Sequence, residues 1–386
     1  MTTSTTYLDH NASAPLLPEA RAAVLAALDR VGNPSSVHGH GRALRSLIDM
    51  ARGQVAVLAG ATREQVVFTG SATEAITQAI VGGARALGLD GVVVSAGEHA
   101  AALKAAESTG LPVTPIPLDG NGVIDVDALA ALLAGSAGQK LLVAVHAVNN
   151  ETGVVQPLER IEVLVGASPH YLFVDAVQAF GKRPLDFAGR APDMMAVSAH
   201  KIGGPAGVGA LLMKGHADQV RLIPGGGQET GRRGGTEAAA LIAGFGAAAE
   251  AFPARYVAAS PEALVRQAED GLRALADDLV VFGAAAERLG NCSNFAVPGL
   301  KNAVAMMALD LKGISISSGS ACSSGKVGPS HVLAAMGVPA ALGEGAMRLS
   351  VGWNTTKADV EAFLDGFNDI LVRHRARHGA GTGLAA

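Results

Sequence analysis

The chain has 386 residues, 49% of them hydrophobic and 17% charged, with 49 glycines and a formal net charge of −4. That length and apolar content call for a large core in two closely associated domains and exclude a disordered chain. The small negative charge gives no footprint for nucleic acid, no apolar run approaches a membrane span, and the opening MTTSTTYLDH lacks the basic-then-apolar pattern of a signal peptide.

From Tyr7 to Pro18 the sequence is polar and marked by proline. Pro18 opens a helix to about Arg30, with Val24, Leu25 and Leu28 expected inward, before the turn GNPSS at 32–36. A longer helix carries Leu44, Leu47, Ile48, Ala51, Val55 and Leu58 at helical spacing and stops at Gly60. His38 and His40 stand ahead of it, with no third or fourth ligand nearby to make a metal site. A strand at 65–68 leads into TGSATEA, residues 69–75, which opens a helix to about Leu87. Small residues there leave backbone N–H groups at the positive end of a helix dipole, and Thr73 adds a hydroxyl. The run suits an anion or an ordinary capped helix equally, and it lacks the Gly-Lys-Ser/Thr ending of a P-loop.

A strand at 92–95 precedes GEHAAALK, in which His99 is a cap, a packed side chain or, with a cofactor ring in the crevice, a stacking partner. The most apolar strand, 140–148, ends in NNETG at 149–153, polar groups suited to a crevice mouth. Alternating strands and helices argue a mostly parallel sheet covered on both faces. The strand YLFV ends in Asp175, with Gln178 three residues on, and an acid at that end of a strand points into the ligand crevice. The strand MMAV runs into Ser198, Ala199, His200 and Lys201, then the glycine-rich GGPAGVG. Lys201 is either a solvated loop lysine or a desolvated nucleophile able to form a Schiff base with an aldehyde. Pyridoxal phosphate needs such a lysine, and an aspartate to keep its ring nitrogen protonated. Asp175 and Lys201, 26 residues apart and each closing a strand, can serve one ring.

After a strand at 208–213 comes IPGGGQETGRRGGTE, 223–237, either a second phosphate cradle with Arg232 and Arg233 nearby or a mobile surface loop. A helix is expected from Glu237 to about Glu250, and the pattern changes near Phe252-Pro253. Helices at 261–277 and 303–312 with strands at 279–282 and 294–297 then describe a smaller α+β domain. Two cysteines make no disulfide framework and fit a reducing, cytoplasmic setting. Cys322 lies in SSGSACSSG, which offers nothing apolar to bury against and so suits thiolate chemistry. Cys292 has no such setting and reads as structural. Arg348, inside the apolar strand MRLSV, wants a carboxylate, either the protein's or the substrate's. The tail from His378 reads as unordered.

Taken together, YLDHNA, GNPSS, TGSATEA, NNETGVVQP, VDAVQAFGK, SAHKIGGPAGVGAL, GGGQETGRRGGTE and SSGSACSSG resemble the group I, NifS/IscS-type cysteine desulfurases, in order from Tyr7 to about Phe367. The resemblance implies a type I pyridoxal-phosphate transferase fold of the class V aminotransferase family. Residues 1–14 would join the small domain, 15–254 form the large cofactor domain, and 255–386 form the small domain with the cysteine loop. It implies that Lys201 carries pyridoxal 5'-phosphate, Asp175 pairs with its ring nitrogen, Gln178 meets its phenolic oxygen and His99 stacks on the ring. Thr73, beside Ala72, with Ser198 and His200 would hold the phosphate, and Thr236 would reach the phosphate of the other subunit of a homodimer. Asn150 and Arg348 would meet the amino-acid substrate, and Cys322 would take its sulfur for a sulfur acceptor or an iron–sulfur scaffold protein.

Three departures stand out: TGSATE for the usual TSGGTE, Ser323 where threonine is common, and GWNTT for GRFTT, which removes a cation after Arg348. The implied reaction is conversion of L-cysteine to L-alanine, with a persulfide on the enzyme. Selenocysteine lyase chemistry is the nearest alternative, since it differs only in the leaving atom. Transamination has no use for an exposed cysteine. Lys201, Asp175 and Cys322 together argue against a non-enzymatic scaffold.

Overall fold

Along the central strands, successive side chains enter two different cores. The computed structural model describes residues 5–318 and 330–379. After a short β1 (Thr6–Tyr7), the large sheet is built from β2 (Val66–Thr69), β3 (Gly91–Ser95), β4 (Val113–Ile116), β5 (Leu141–His146), β6 (Tyr171–Asp175), β7 (Met194–Ser198) and β8 (Gly209–Met213). Their spatial order is β2-β8-β7-β6-β5-β3-β4. Neighbours from β7 to β4 are parallel, and β8 alone runs antiparallel to its neighbours β7 and β2. Val143, Val145, Leu172, Val174 and Val197 join one cluster, while Leu142, Ala144, Phe173, Met194 and Ala196 join the other. A sheet covered on both faces is apolar at every position, which explains the unbroken apolar runs. The carboxyl ends of the parallel strands, with the amino end of β8, share one edge. His146 and Asp175 end the second row there, side by side in register.

Helices cover both faces. Gly39–Ala59 and Ala239–Ala259 pack on the first, and the helical run from Ala72 to Ala86 with Ala100–Glu107 on the second. His38 caps the first of these, its ring accepting from the Gly41 amide. The run from Ala72 holds a π turn over Gln78–Gly82, whose Gln78 carboxamide donates to the carbonyls of Val220 and Arg232.

Several expectations are corrected. In helix Pro18–Leu28 the buried residues are Ala20 and Ala27, while Leu25 and Leu28 face outward. The helix sits so close to Ala239–Ala259 that a Cβ on Gly244 would lie 2.5 Å from Val24, and such a gap selects small residues. The helix expected to stop near Glu250 continues through Pro253 to Ala259, across residue 254, because Phe252 and Tyr256, stacked at 5.3 Å, extend its buried face. The strand expected to reach Val148 ends at His146. Helix Lys357–Gly379 includes His378, where an unordered tail is expected from sequence.

The remaining strands are β9 (Val280–Val281), β10 (Cys292–Ala296), β11 (Ile314–Ser315) and β12 (Met347–Ser350). β10 lies between β9 and β12, antiparallel to both, while β1 pairs in parallel with β11. Leu8, fully buried, packs into the cluster of Leu264, Phe295, Phe363 and Phe367. The N-terminal segment is thus anchored in C-terminal residues before it crosses to the large sheet, where the Ala14 and Leu17 amides donate to the carbonyls of His200 and Gly203.

Leu8→Ala should lower stability by about 2–5 kcal/mol, the range for emptying a fully buried leucine site. Urea unfolding followed by circular dichroism checks this; a change below about 1 kcal/mol would mean the anchor is not Leu8.

Candidate active site

Nine of the residues singled out from sequence line one cavity of about 360 Å³: Ala72, Thr73, His99, Asn150, Asp175, Gln178, Ser198, His200 and Lys201. They arrive from five places in the chain because the carboxyl ends of β2, β3, β5, β6 and β7 share an edge. Gly209 permits the first of these approaches, since a Cβ there would lie 2.8 Å from the Ala72 amide nitrogen. Gly203, at φ +74, permits the turn after Lys201.

Lys201 closes a short 3₁₀ turn after β7, and its Nζ donates to the carbonyls of Asn11 at 2.6 Å and Ala12 at 2.8 Å. Neither partner was legible in the sequence. Gln178 donates from Nε2 to the Asn11 carbonyl at 3.1 Å and accepts at Oε1 from Lys182 Nζ at 3.0 Å. Burial, then the charge of Lys201, push Lys182 down to about 7. His200 is pushed down to about 4 by burial and by both lysines, so it is neutral at physiological pH. His99 caps helix Ala100–Glu107, its Nδ1 accepting from the Ala101 amide at 3.1 Å, which leaves Nε2 to carry the proton.

Asp175 accepts from the Val177 amide at 2.9 Å and makes no ion pair among the described residues. Burial and then the nearby Glu98 push its carboxyl up to about 7, against the Val177 amide, His146 and Lys201. A carboxyl in that state fits a cationic partner that none of the described residues supplies as an ion pair.

Arg348 is fully buried, donating to Asp9 Oδ1 at 2.6 Å and to the Asn150 carbonyl at 3.0 Å. The protein therefore supplies a carboxylate to this arginine, and Asn150 connects it to the cavity. Asp9 lies in YLDHNA, but its pairing with Arg348 joins positions 339 apart and leaves no local signal. In GWNTT, Trp353 donates to the Pro15 carbonyl at 2.9 Å, and Arg255 lies over its ring. The residue in place of the usual cation thus braces the N-terminal segment.

The glycine-rich 223–237 loop does not line the cavity. Arg232 and Arg233, expected near a phosphate, are instead committed to protein partners, Arg233 to Glu74 at 2.7 Å and Arg232 to Asp218 and the Glu64 carbonyl. Thr236 is exposed. Cys292 is buried in β10, and burial pushes its thiol up. Cys322 lies outside the described residues.

Residues 6–363 match the Aminotransferase class-V family. A cysteine desulfurase of Cereibacter sphaeroides is 39% identical over 96% of this chain and 96% of its own. The cysteine desulfurase IscS of Dictyoglomus turgidum is 34% identical over 96% of this chain and 95% of its own. The chain belongs to the cysteine desulfurases of the class V aminotransferase family. Among solved structures, the NifS-like protein of Rickettsia africae superposes with a TM-score of 0.87 at 29% identity, covering 95% of this chain and 99% of that one. A second structure, SspA in complex with cysteine, has a TM-score of 0.79 at 30% identity, covering 91% and 100%. Cysteine desulfurases of this family depend on pyridoxal phosphate.

The raised Asp175 carboxyl has a consequence in the cofactor-free protein. The folded chain keeps a proton that the unfolded chain releases above its ordinary value of 3.8, so stability falls as pH rises from about 4 to about 7. Asp175→Asn removes that cost. At pH 8 the variant should be more stable than the parent by about 1 kcal/mol or more, converging near pH 4. Urea midpoints across that range check it, and parallel profiles would contradict it.

Proposed function

We propose that this protein is a pyridoxal-phosphate-dependent cysteine desulfurase that converts L-cysteine to L-alanine and retains the sulfur on Cys322 as a persulfide. The observation that carries this reading is the one cavity that collects a buried acid, Asp175, with Lys201, Gln178, His99 and the hydroxyl-bearing Thr73 and Ser198. Support for L-cysteine comes from the relatives' activity and from the neighbour solved with cysteine.

The residues fit the cofactor by their chemistry. Asp175 would face the ring nitrogen, Gln178 the phenolic oxygen and His99 the ring face. Thr73, Ser198 and His200, with the backbone at Ala72, would hold the phosphate. When bound, the cofactor supplies an electron sink for the charge left by removal of the substrate α-proton. Lys201, its amine steered by the carbonyls of Asn11 and Ala12, carries the cofactor linkage and takes that proton. Arg348, its fork fixed by Asp9, binds the substrate carboxylate together with Asn150. The Cys322 thiolate attacks the substrate sulfur and the carbon–sulfur bond breaks. Sulfur stays on Cys322, and the carbon skeleton takes up a proton and leaves as alanine.

The acceptor of that sulfur is an external protein, such as an iron–sulfur scaffold, a reading supported by the IscS relative. A homodimer places Thr236 at the partner's phosphate, and the exposed run of Leu25, Leu28, Val31 and Val37 supports a second copy covering this face. A cytoplasmic setting fits the cysteine content. Among the described residues no helix is long and apolar enough to cross a membrane.

Lys201→Ala should abolish fixation of the cofactor to the chain by borohydride; fixation at the parent's yield would place the linkage elsewhere. Cys322→Ser should bind the cofactor but lose sulfide release, because a serine hydroxyl is not ionised at neutral pH. Cys292→Ser should retain most turnover. Sulfide and alanine assays with peptide mass spectrometry decide: full activity in Cys322→Ser, or added sulfur on Cys292, would overturn the assignment.

A further inference from the structure

His146 and Glu98 take no part in the chemistry above, yet both are buried beside Asp175. His146 is the last residue of β5, in register with Asp175 and on the same face of the sheet. Its Nδ1 lies 3.0 Å from Glu98 Oε1, and a carboxylate in that position accepts from Nδ1–H. His146 lines the cavity, and its buried Nε2 has no hydrogen-bond partner among the described residues, nor has Glu98 Oε2. The turn carrying Glu98 is pinned from three sides. Its own amide donates to the Ser95 carbonyl, Asn149 Nδ2 donates to the Gly97 carbonyl at 3.0 Å, and His331 Nε2 donates to the Glu98 carbonyl at 2.7 Å. Rigid support of a buried carboxylate–imidazole pair with an open nitrogen toward a ligand site marks a group that acts on its neighbour.

We propose that Glu98 and His146 are positioning residues that act through Asp175, with the His146 imidazole offsetting Glu98 so that Asp175 stays ionised against the ring nitrogen of the cofactor. This rests on the cofactor reading above. Two buried carboxylates side by side, Glu98 and Asp175, cannot both remain anionic without a compensating charge. Among the other titratable groups of the described residues, Lys201 favours the Asp175 anion, His331 reaches the Glu98 carbonyl, and burial pushes up Glu151, to which Ser330 Oγ donates at 2.6 Å. Glu98 opposes ionisation of Asp175 and His146 favours it. Removing one or the other should therefore move the same titration in opposite directions.

The test is the pH dependence of pyridoxal phosphate affinity, read by equilibrium dialysis on the full chain without substrate. In the parent, binding should weaken on the acid side as Asp175 protonates, and Asp175→Asn should erase that limb. His146→Asn, which keeps a donor to Glu98 but removes the imidazole, should move the limb up by about one pH unit. The isosteric Glu98→Gln should move it down by a similar amount. The 1-deaza analogue, which has no ring nitrogen, should show no such limb in the parent or either variant. Limbs that stay put, or move in the same direction in both variants, would overturn the proposal while leaving the cofactor site standing. A parent chain that takes up no pyridoxal phosphate would overturn the cofactor reading itself, and this inference with it.

Discussion

A buried guanidinium holds the molecule together at its most consequential point. Arg348 sits on β12 with no exposure, and a charge so placed must be compensated on the spot. Asp9 supplies the carboxylate and Asn150 a carbonyl. Those bonds fix the N-terminal segment at Asp9. Around it, the Asn11 amide donates to Ser350 Oγ, Asn11 Nδ2 donates to the Asn150 carbonyl, and Asn291 donates to Asn11 Oδ1. Only a segment held this firmly can aim two carbonyls at the Lys201 amine.

The cavity gathers groups whose charges are costly there. Lys182 and Lys201 are close enough for one to depress the other, while Asp175 and Glu98 oppose one another across its far side. Stacking cations at one end and acids at the other prepares a field before any ligand arrives, the arrangement that electrostatic catalysis requires. The neutral His200 fits the same scheme, since a third cation beside the two lysines would be unsupportable.

Much of this was legible in the sequence for a physical reason. Strands buried on both faces write continuous apolar runs, and the polar residue that ends each run marks the ligand edge, which is how Asp175, Ser198 and Asn150 could be located. Helix faces were read less well. Leu25 and Leu28 follow helical spacing, but the close approach at Gly244 chose Ala20 and Ala27 for the interface, and no local pattern reports a neighbour's distance. Pairings over long separations were invisible for the same reason: Asp9 with Arg348, and the Asn11 carbonyl with Lys201. His146 did leave a trace, as a titratable residue in an otherwise apolar strand, but it became informative only when register set it beside Asp175.

The pairing of β1 with β11, and of Asp9 with Ser350, bears on how the protein comes into being. A ribosome delivers Asp9 early and Arg348 almost last, with the large sheet complete in the interval. Until β11 and β12 emerge, the first residues lack their C-terminal partners, and the carbonyls that steer Lys201 are held from the large-sheet side alone. Contacts of such sequence separation are also the slowest to form. The nascent chain therefore carries a finished sheet with an unfinished active site. Competence for the reaction arrives as one late event, after synthesis has passed the last strand.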